Sequence, residues 1–162
     1  MRLIAKFIDT QAQELLHANV RLRIIGRRDR FADDLCVALQ SLEQRSSKNT
    51  RLNLTVALDY GGRQDIASSA LAIAKEIEAG MLTADEVNDD LLKSRMSTKI
   101  LPPVDLLIRT GGEKRLSNFL LWDLSYAELF FSDKLWPDFT RSDLFDAITS
   151  FRGRQRRFGG GH

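Results

Sequence analysis

The sequence predicts an α/β protein with a mainly parallel sheet flanked by helices. Short apolar runs alternate along the chain with segments whose apolar residues recur at helical spacing, as is typical of β-α units. One run, residues 104–109, is almost entirely apolar, as expected for a parallel strand covered on both faces. Polar or glycine-containing turns separate these segments.

The first half of the chain contains three predicted helices and two predicted strands. Apolar residues from Leu3 to Leu16 lie mostly at helical spacing, and no capping signal precedes them. Val20 to Gly26 alternates apolar and basic residues before a glycine, which predicts a strand. The others are a helix over residues 31–45, a strand over 52–58 and a helix from the Tyr60-Gly61-Gly62-Arg63 turn to about Gly80.

The second half adds a capping box, two strands and three helices. Thr83-Ala84-Asp85-Glu86 predicts the start of a short helix. Pro102-Pro103 forms a rigid linker to the apolar strand over residues 104–109. A short helix over residues 116–123, a fourth strand over 127–131 and a last helix capped at Thr140 complete the prediction.

Length and composition restrict the class of protein. The 162 residues correspond to one domain, residues 1–162, and the net charge of +2 is too balanced to indicate nucleic acid. No run approaches the ~20 apolar residues of a membrane span, and no secretory signal precedes the first helix. The single cysteine, Cys36, forms no internal disulfide, so a cytoplasmic location is expected.

A group of side chains suited to anions follows the third predicted strand. Arg109 ends that strand, Gly111-Gly112 allows close approach of the backbone, and Arg115 and Ser117 come where a helix is predicted to begin. Arginine binds phosphate oxygens with a planar fork of donors. The pattern predicts a phosphate or diphosphate cradle, while a solvated turn with two surface arginines remains the alternative.

A glutamate and a cluster of arginines are two further candidate functional features. Glu128 begins the fourth predicted strand and is either a Mg²⁺ ligand or a carboxylate paired with an arginine. Four arginines, at positions 152, 154, 156 and 157, precede the glycines of the C-terminal tail and indicate an anion partner. No Walker A or G-x-G-x-x-G pattern is present, so an ordinary nucleotide-binding fold is disfavoured.

The motifs of residues 104–139 resemble the C-terminal signature of the cis-prenyltransferase family, whose bacterial members are undecaprenyl diphosphate synthases. The resemblance covers residues 14–160 and includes several motifs in the order of the family. They are Asp105 to Ser117, Asn118-Phe119-Leu120-Leu121-Trp122, Tyr126-Ala127-Glu128-Leu129, Leu135-Trp136-Pro137-Asp138-Phe139, Val20 to Gly26, Tyr60-Gly61-Gly62-Arg63 and Arg156-Arg157-Phe158-Gly159-Gly160.

The resemblance implies a transferase that condenses isopentenyl diphosphate onto an allylic diphosphate, usually farnesyl diphosphate, to make a long-chain cis-polyprenyl diphosphate such as undecaprenyl diphosphate. It implies that Arg109, Arg115 and Ser117 bind isopentenyl diphosphate and that Glu128 contributes to binding the cofactor Mg²⁺. Arg157 and Gly159 match an Arg-x-Gly motif that reaches the site of the partner subunit in a homodimer. Leu52 matches a tunnel-lining position, although core packing explains it equally well.

The chain also departs from the family. The His-x-x-Met-Asp-Gly-Asn-Gly-Arg-Trp-Ala motif, which supplies the catalytic aspartate, and the Ser-x-Glu-Asn-Trp element are both absent from the sequence. The expected fold therefore lacks the first two strands of the family, the domain is N-terminally incomplete, and no catalytic residue is assigned. Asp59 and Lys114 also replace a frequent asparagine and histidine.

Three hypotheses follow from these observations. A shortened synthase that keeps the isopentenyl diphosphate half of the site is the main one, with little activity expected from the 162 residues alone. The alternative is a non-catalytic partner subunit that donates the Arg-x-Gly tail. A nucleic-acid surface is disfavoured because no aromatic platform accompanies the arginines, and peripheral membrane contact for product release is retained as an expectation.

Overall fold

The computed structural model describes residues 12–153. The chain divides into two compact units, one ending at Gly61 and the other beginning at Gly62. Within residues 12–153, none of the helices combines the length and the apolar character needed to cross a membrane.

The first unit contains a parallel pair of strands with helices. Residues 12–17 are helical (α1) and lead into β1 (Val20–Ile25), α2 (Asp33–Ser46) and β2 (Leu52–Ala57). The strands pair in parallel from Val20 opposite Leu52 to Ile25 opposite Ala57. Apolar residues of α1, α2 and one face of the sheet form the core of this unit: Ala12, Leu22, Ile24, Leu35, Leu39 and Leu42.

Polar side chains of α2 hydrogen-bond to the backbone of β1. The amide of Leu22 donates to Ser46 Oγ at 3.0 Å, and the amide of Ile24 donates to Glu43 Oε1 at 2.8 Å. Buried backbone donors need such partners, and unsatisfied donors at a strand edge promote pairing with other chains. The helix therefore both covers the sheet and satisfies backbone donors of β1.

The second unit carries the remaining elements around a second parallel pair. They are α3 (Gly62–Glu78), a 3-10 turn (Ala84–Glu86), α4 (Asp89–Arg95), a 3-10 turn (Ser97–Ile100), β3 (Leu106–Arg109), β4 (Glu128–Phe131), a 3-10 turn (Trp136–Asp138) and α5 (Arg141–Arg152). The strands β3 and β4 pair in parallel from Leu106 opposite Glu128 to Arg109 opposite Phe131.

Hydrogen bonds and an ion pair join α3 and α4 to the turns of the second unit. Lys93 Nζ donates to Thr98 O at 2.8 Å and Thr98 Oγ1 at 2.9 Å, and it is also paired with Asp123. The side chain of Asp123 is only 3% exposed, so this ion pair compensates a carboxylate that has lost its water. Asp65 accepts from the amide and the hydroxyl of Ser97, both at 2.9 Å.

The predicted fold class is confirmed: the described residues form an α/β structure in which both strand pairs are parallel and accompanied by helices. All four predicted strands are present, and the predicted cap at Thr140 opens α5. The capping box predicted at Thr83 forms, but it opens a 3-10 turn, and the short helix that follows, α4, is capped by Asn88. The single domain over residues 1–162 stays a prediction.

The turn after β1 depends on a glycine, and this gives the first testable prediction. Gly26 has φ +103°, and a Cβ there would lie directly against the carbonyl oxygen of Leu58 and 3.1 Å from Tyr60 Cβ. We expect Gly26→Ala to lower the free energy of unfolding by at least about 3 kcal/mol, because strain and steric overlap add. Urea denaturation followed by circular dichroism measures the change.

Gly80 provides the matched control. It also has a positive φ, +70°, but a Cβ there would meet nothing within 4 Å. Gly80→Ala should therefore cost only the left-handed backbone strain, about 1–2 kcal/mol. Equal losses for the two substitutions would show that contact with Leu58 does not determine this turn.

Candidate functional site

Three residues predicted to form the cradle come together at the carboxyl end of β3. Arg109, the last residue of that strand, donates from Nη1 to Ser117 Oγ at 3.0 Å and also to the carbonyl oxygen of Arg115. The arginine therefore spans the loop that follows it and holds the far side of that loop. A guanidinium has five N–H donors, so donors remain for an anion.

The loop is built from left-handed backbone rather than from a helix. Positive φ angles occur at Gly111 (87°), Gly112 (76°), Ser117 (48°), Asn118 (66°) and Leu120 (44°). The short helix predicted over residues 116–123 is therefore wrong, because three of the first five residues are left-handed and the segment forms turns. Side chains, and not the amides of a helix N-terminus, are left to bind an anion here.

The two glycine amides are used inside the protein. Gly111 N donates to Lys134 O at 2.7 Å, and Gly112 N donates to Ser132 O at 2.9 Å. Gly111-Gly112 was expected to bring the backbone close to a ligand, but these amides instead bind carbonyl groups of the protein. They pair the loop with the segment after β4, and their positive φ explains why glycine occupies both positions.

Arg115 is available to a ligand in a different way from Arg109. Its guanidinium is paired with the carboxylate of Glu113, and the two side chains are 66% and 45% exposed. An ion pair this exposed contributes little because water and salt screen it. The pair can therefore open when a multiply charged anion offers the guanidinium a better partner.

An open cavity of about 410 Å³ lies beside this loop. Its lining combines the polar end of β3 with apolar side chains from the strand and the loop: Leu107, Ile108, Arg109, Thr110, Leu116 and Phe119. A cavity that has both a cation and apolar side chains in its lining suits a small amphiphilic anion. Phe119 and Leu116 lie in motifs that carry the family resemblance, but sequence reasoning assigned neither of them a role at the site.

Lys134 joins the cradle to the start of α5. Its carbonyl oxygen accepts from Gly111, and its Nζ donates to Asp143 Oδ1 at 2.7 Å. Asp143 Oδ2 accepts from the amide and hydroxyl of Thr140, each at 2.7 Å. These hydrogen bonds, with that of Lys134 first, lower the pKa of Asp143 to about 2. Nothing in the sequence pattern indicated that Lys134 would take part.

The structure does not bring Glu128 to the cradle within one chain. Glu128 pairs with Leu106 at the start of the ladder, whereas Arg109 pairs with Phe131 at its end. Three residue steps correspond to about 10 Å along a strand. Successive side chains also alternate between faces, so Glu128 and Arg109 lie on opposite faces of this pair of strands.

This placement bears on the predicted magnesium ion. Among residues 12–153, no three His, Cys, Asp or Glu side chains gather where they would hold a metal ion. Mg²⁺ is usually held by one or two carboxylates together with substrate phosphates, and the only predicted carboxylate, Glu128, lies away from Arg109. The described residues thus do not fit a magnesium site around Arg109, and Glu128 stays a prediction.

The other predicted positions have different outcomes. Arg157 and Gly159 lie outside the described residues. Leu52 was explained either as a tunnel-lining residue or as part of the core. It is 55% exposed, so it is not packed in the core of the first unit.

Comparisons with known proteins show the family to which the chain belongs. Residues 1–159 match the family model described as "Putative undecaprenyl diphosphate synthase". A relative named ditrans,polycis-undecaprenyl-diphosphate synthase ((2E,6E)-farnesyl-diphosphate specific), from Xanthomonas axonopodis pv. citri, is 45% identical over 159 residues, which are 98% of this chain and 62% of the relative. An isoprenyl transferase from Caulobacter vibrioides is 43% identical, with 99% and 62% covered.

Solved structures give the same result. Lavandulyl diphosphate synthase from Lavandula x intermedia, in complex with dimethylallyl diphosphate, superimposes with a TM-score of 0.94 at 37% identity, covering 99% of this chain and 70% of that one. A probable undecaprenyl diphosphate synthase from Campylobacter jejuni gives 0.82 at 34% identity, covering 98% and 72%. The chain spans about 62% of the length of the first two relatives.

The link between the cradle and α5 gives a prediction about pH. The depressed pKa of Asp143, about 2, contributes stability that is complete above the unfolded pKa of about 4 and is lost as pH falls towards 2. We expect Lys134→Met to raise the pKa of Asp143, because its largest cause is removed. An NMR titration of the Asp143 carboxyl carbon measures this pKa.

Glu86 is the internal control for that titration. Its pKa is also lowered, but by the backbone and hydroxyl of Thr83, so Lys134→Met should leave it unchanged. An unaltered Asp143 pKa in the variant would contradict a structural role for the lysine.

Proposed function

The chain belongs to the undecaprenyl diphosphate synthase family of prenyltransferases, and we propose that it binds isopentenyl diphosphate for condensation onto an allylic diphosphate. The observation that carries the proposal is the Arg109–Ser117 hydrogen bond beside a partly apolar cavity of about 410 Å³. A diphosphate needs cationic and hydroxyl donors, and a five-carbon tail needs a small apolar pocket. Both lie at the end of β3.

Each side chain has a distinct task in this proposal. Arg109 is already oriented by the loop, so it offers its remaining donors to the diphosphate without rearrangement. Arg115 leaves Glu113 and grips the second phosphate, because a bidentate contact with a phosphate is stronger than an exposed ion pair. The hydroxyl of Ser117 has a proton to donate while its oxygen accepts from Arg109.

The apolar lining selects the tail of the substrate. Leu116 and Phe119 border the cavity together with the strand residues Leu107 and Ile108. Each buried methylene contributes about 0.8 kcal/mol, so the isopentenyl group should strengthen binding over that of the diphosphate alone.

The allylic substrate and the product are proposed from the relatives. The relative from Xanthomonas axonopodis is named as specific for farnesyl diphosphate and as an undecaprenyl diphosphate synthase. We extend both to this chain: farnesyl diphosphate as the allylic substrate and a long-chain cis-polyprenyl diphosphate as the product. The proposal also includes Mg²⁺ as the cofactor with Glu128 as one ligand, a cytoplasmic location and membrane contact for product release.

The alternative of a non-catalytic partner subunit predicts a different use of the same residues. A subunit that only donated its C-terminal tail would have no need for an organised diphosphate site. Arg109, Arg115 and Ser117 are not only present but joined by hydrogen bonds in one loop. This organisation favours substrate binding by the chain itself.

The predicted homodimer is supported by exposed apolar side chains in the second unit. Leu135, Trp136 and Phe145 are 62%, 71% and 55% exposed, and Trp136 stacks on Phe139 with ring centroids 5.9 Å apart. Grouped exposed aromatic residues are typical of protein interfaces. We propose that this surface belongs to the contact between two copies of the chain.

Binding of isopentenyl diphosphate tests the proposed function. We expect Arg109→Ala and Arg115→Ala each to weaken binding by roughly 10- to 100-fold, because each removes charge-assisted hydrogen bonds worth about 1.5–3 kcal/mol. Isothermal titration calorimetry with the full chain measures the affinity. Inorganic diphosphate should bind to the same site more weakly, because it lacks the tail.

Arg95 supplies the matched control for this experiment. It is an arginine of the same unit whose guanidinium is bound to both oxygens of Glu76, each at 2.7 Å. Arg95→Ala should leave the affinity unchanged. Undiminished binding in Arg109→Ala and Arg115→Ala would refute the proposed site.

The proposed dimer contact has its own test. Trp136→Ser should shift the protein towards monomer, because it removes the most exposed of these large apolar side chains, and sedimentation velocity over a range of concentrations measures the shift. Met81, which is 72% exposed, is the control, since Met81→Ser removes similar exposure elsewhere in the unit. An unchanged association state in Trp136→Ser would place the contact on another surface.

A further inference from the structure

Asn118 is attached to the first turn of α3 by two hydrogen bonds. The amide of Gly62 donates to the carbonyl oxygen of Asn118 at 2.7 Å, and the amide of Arg63 donates to Asn118 Oδ1 at 2.8 Å. The first amides of a helix have no partner within the helix. Asn118 satisfies two of them from 55 residues away in the chain.

The contact leaves little room for a side chain at the start of the helix. A Cβ on Gly62 would lie 3.0 Å from both Leu121 Cγ and Leu121 N, and 3.1 Å from Asn118 O. Gly62 is also buried. The turn around Asn118 therefore packs directly on the backbone of α3, and this contact fixes its distance from the helix.

The same asparagine follows the serine of the cradle. Ser117 and Asn118 are consecutive left-handed residues, with φ of 48° and 66°. Such a conformation costs a non-glycine residue about 1–2 kcal/mol, and it persists only where the surroundings enforce it. The hydrogen bonds to Gly62 and Arg63 provide that enforcement on one side of Ser117, and the hydrogen bond from Arg109 provides it on the other.

We propose that Asn118 is a positioning residue for the diphosphate site. It clamps the loop to the first turn of α3, and the clamp holds the Ser117 hydroxyl and the Arg115 carbonyl where Arg109 meets both. This inference rests on the proposed function, because it assigns the clamp to the site that binds the diphosphate. Asn118 itself contacts neither the reacting atoms nor Arg109 in the described hydrogen bonds.

Substitutions on both sides of the clamp separate its effects. Asn118→Gly removes the side-chain acceptor but keeps a residue that adopts positive φ freely. Arg63→Pro removes the donor amide together with the arginine side chain, at a position in the first helical turn where proline is tolerated. Arg63→Ala removes the side chain but keeps that amide, and it serves as the matched control.

A second control tests whether loss of any asparagine cap has the same effect. Asn88 caps α4 with nearly identical geometry, since its Oδ1 accepts from the amide of Leu91 at 2.9 Å. Asn88→Ala should reduce the melting temperature without a change in ligand affinity, because α4 does not carry the cradle.

The probe is inorganic diphosphate, titrated calorimetrically into the full chain below the melting temperature of every variant. We expect Asn118→Gly and Arg63→Pro to weaken binding about tenfold, and Arg63→Ala and Asn88→Ala to bind within about twofold of the unsubstituted chain. The ¹⁵N–¹H signal of Ser117 should move without ligand in Arg63→Pro and stay in place in Arg63→Ala and Asn88→Ala, which a general loss of stability would not cause.

The possible failures are distinguishable. Unchanged affinity in both Asn118→Gly and Arg63→Pro, while Arg109→Ala abolishes binding, would overturn the clamp and leave the proposed function intact. Unchanged affinity in Arg109→Ala would overturn the proposed function and with it the purpose assigned to Asn118.

Discussion

The hydrogen bonds of Arg109 hold together the end of β3, the loop that follows it and the segment after β4. Its side chain holds the carbonyl of Arg115 and the hydroxyl of Ser117, while its own carbonyl accepts from the amide of Ser132 at 2.8 Å. One residue therefore joins the strand, the loop after it and the segment after β4. That segment continues through Lys134 to the cap of α5 at Asp143, so the cradle is supported from both sides of the strand pair.

Regular elements could be predicted from the sequence because their signals are local. The apolar spacing in α2 and α3, the alternation in β1 and the capping box at Thr140 each depend on neighbouring residues, and each element formed. The turns over residues 116–123 were missed because their apolar spacing also fits a helix. Only Asn118, a residue type that tolerates positive φ, signalled left-handed backbone there.

The site was predictable only in part, for a related reason. Arg109, Arg115 and Ser117 lie within nine residues of chain, so a tight loop necessarily brings them together. Glu128 is also close in sequence, but its distance from Arg109 is decided by strand register, which pairs it with Leu106. Register depends on contacts between separate segments. The same limit applies to the pairing of Gly111 with Lys134 and of Asn118 with α3.

The two arginines of the cradle differ in how firmly they are held, and this difference suits a ligand with two phosphates. Arg109 makes its contacts with the loop itself, so releasing it would leave the Ser117 turn without one of its supports. Arg115 is paired only with an exposed glutamate, whose attraction water and salt weaken. In the proposed function, a diphosphate would meet one guanidinium that is fixed in place by the loop and one that can exchange its partner. Arg109 would then set the position of the first phosphate, and Arg115 would exchange Glu113 for the second.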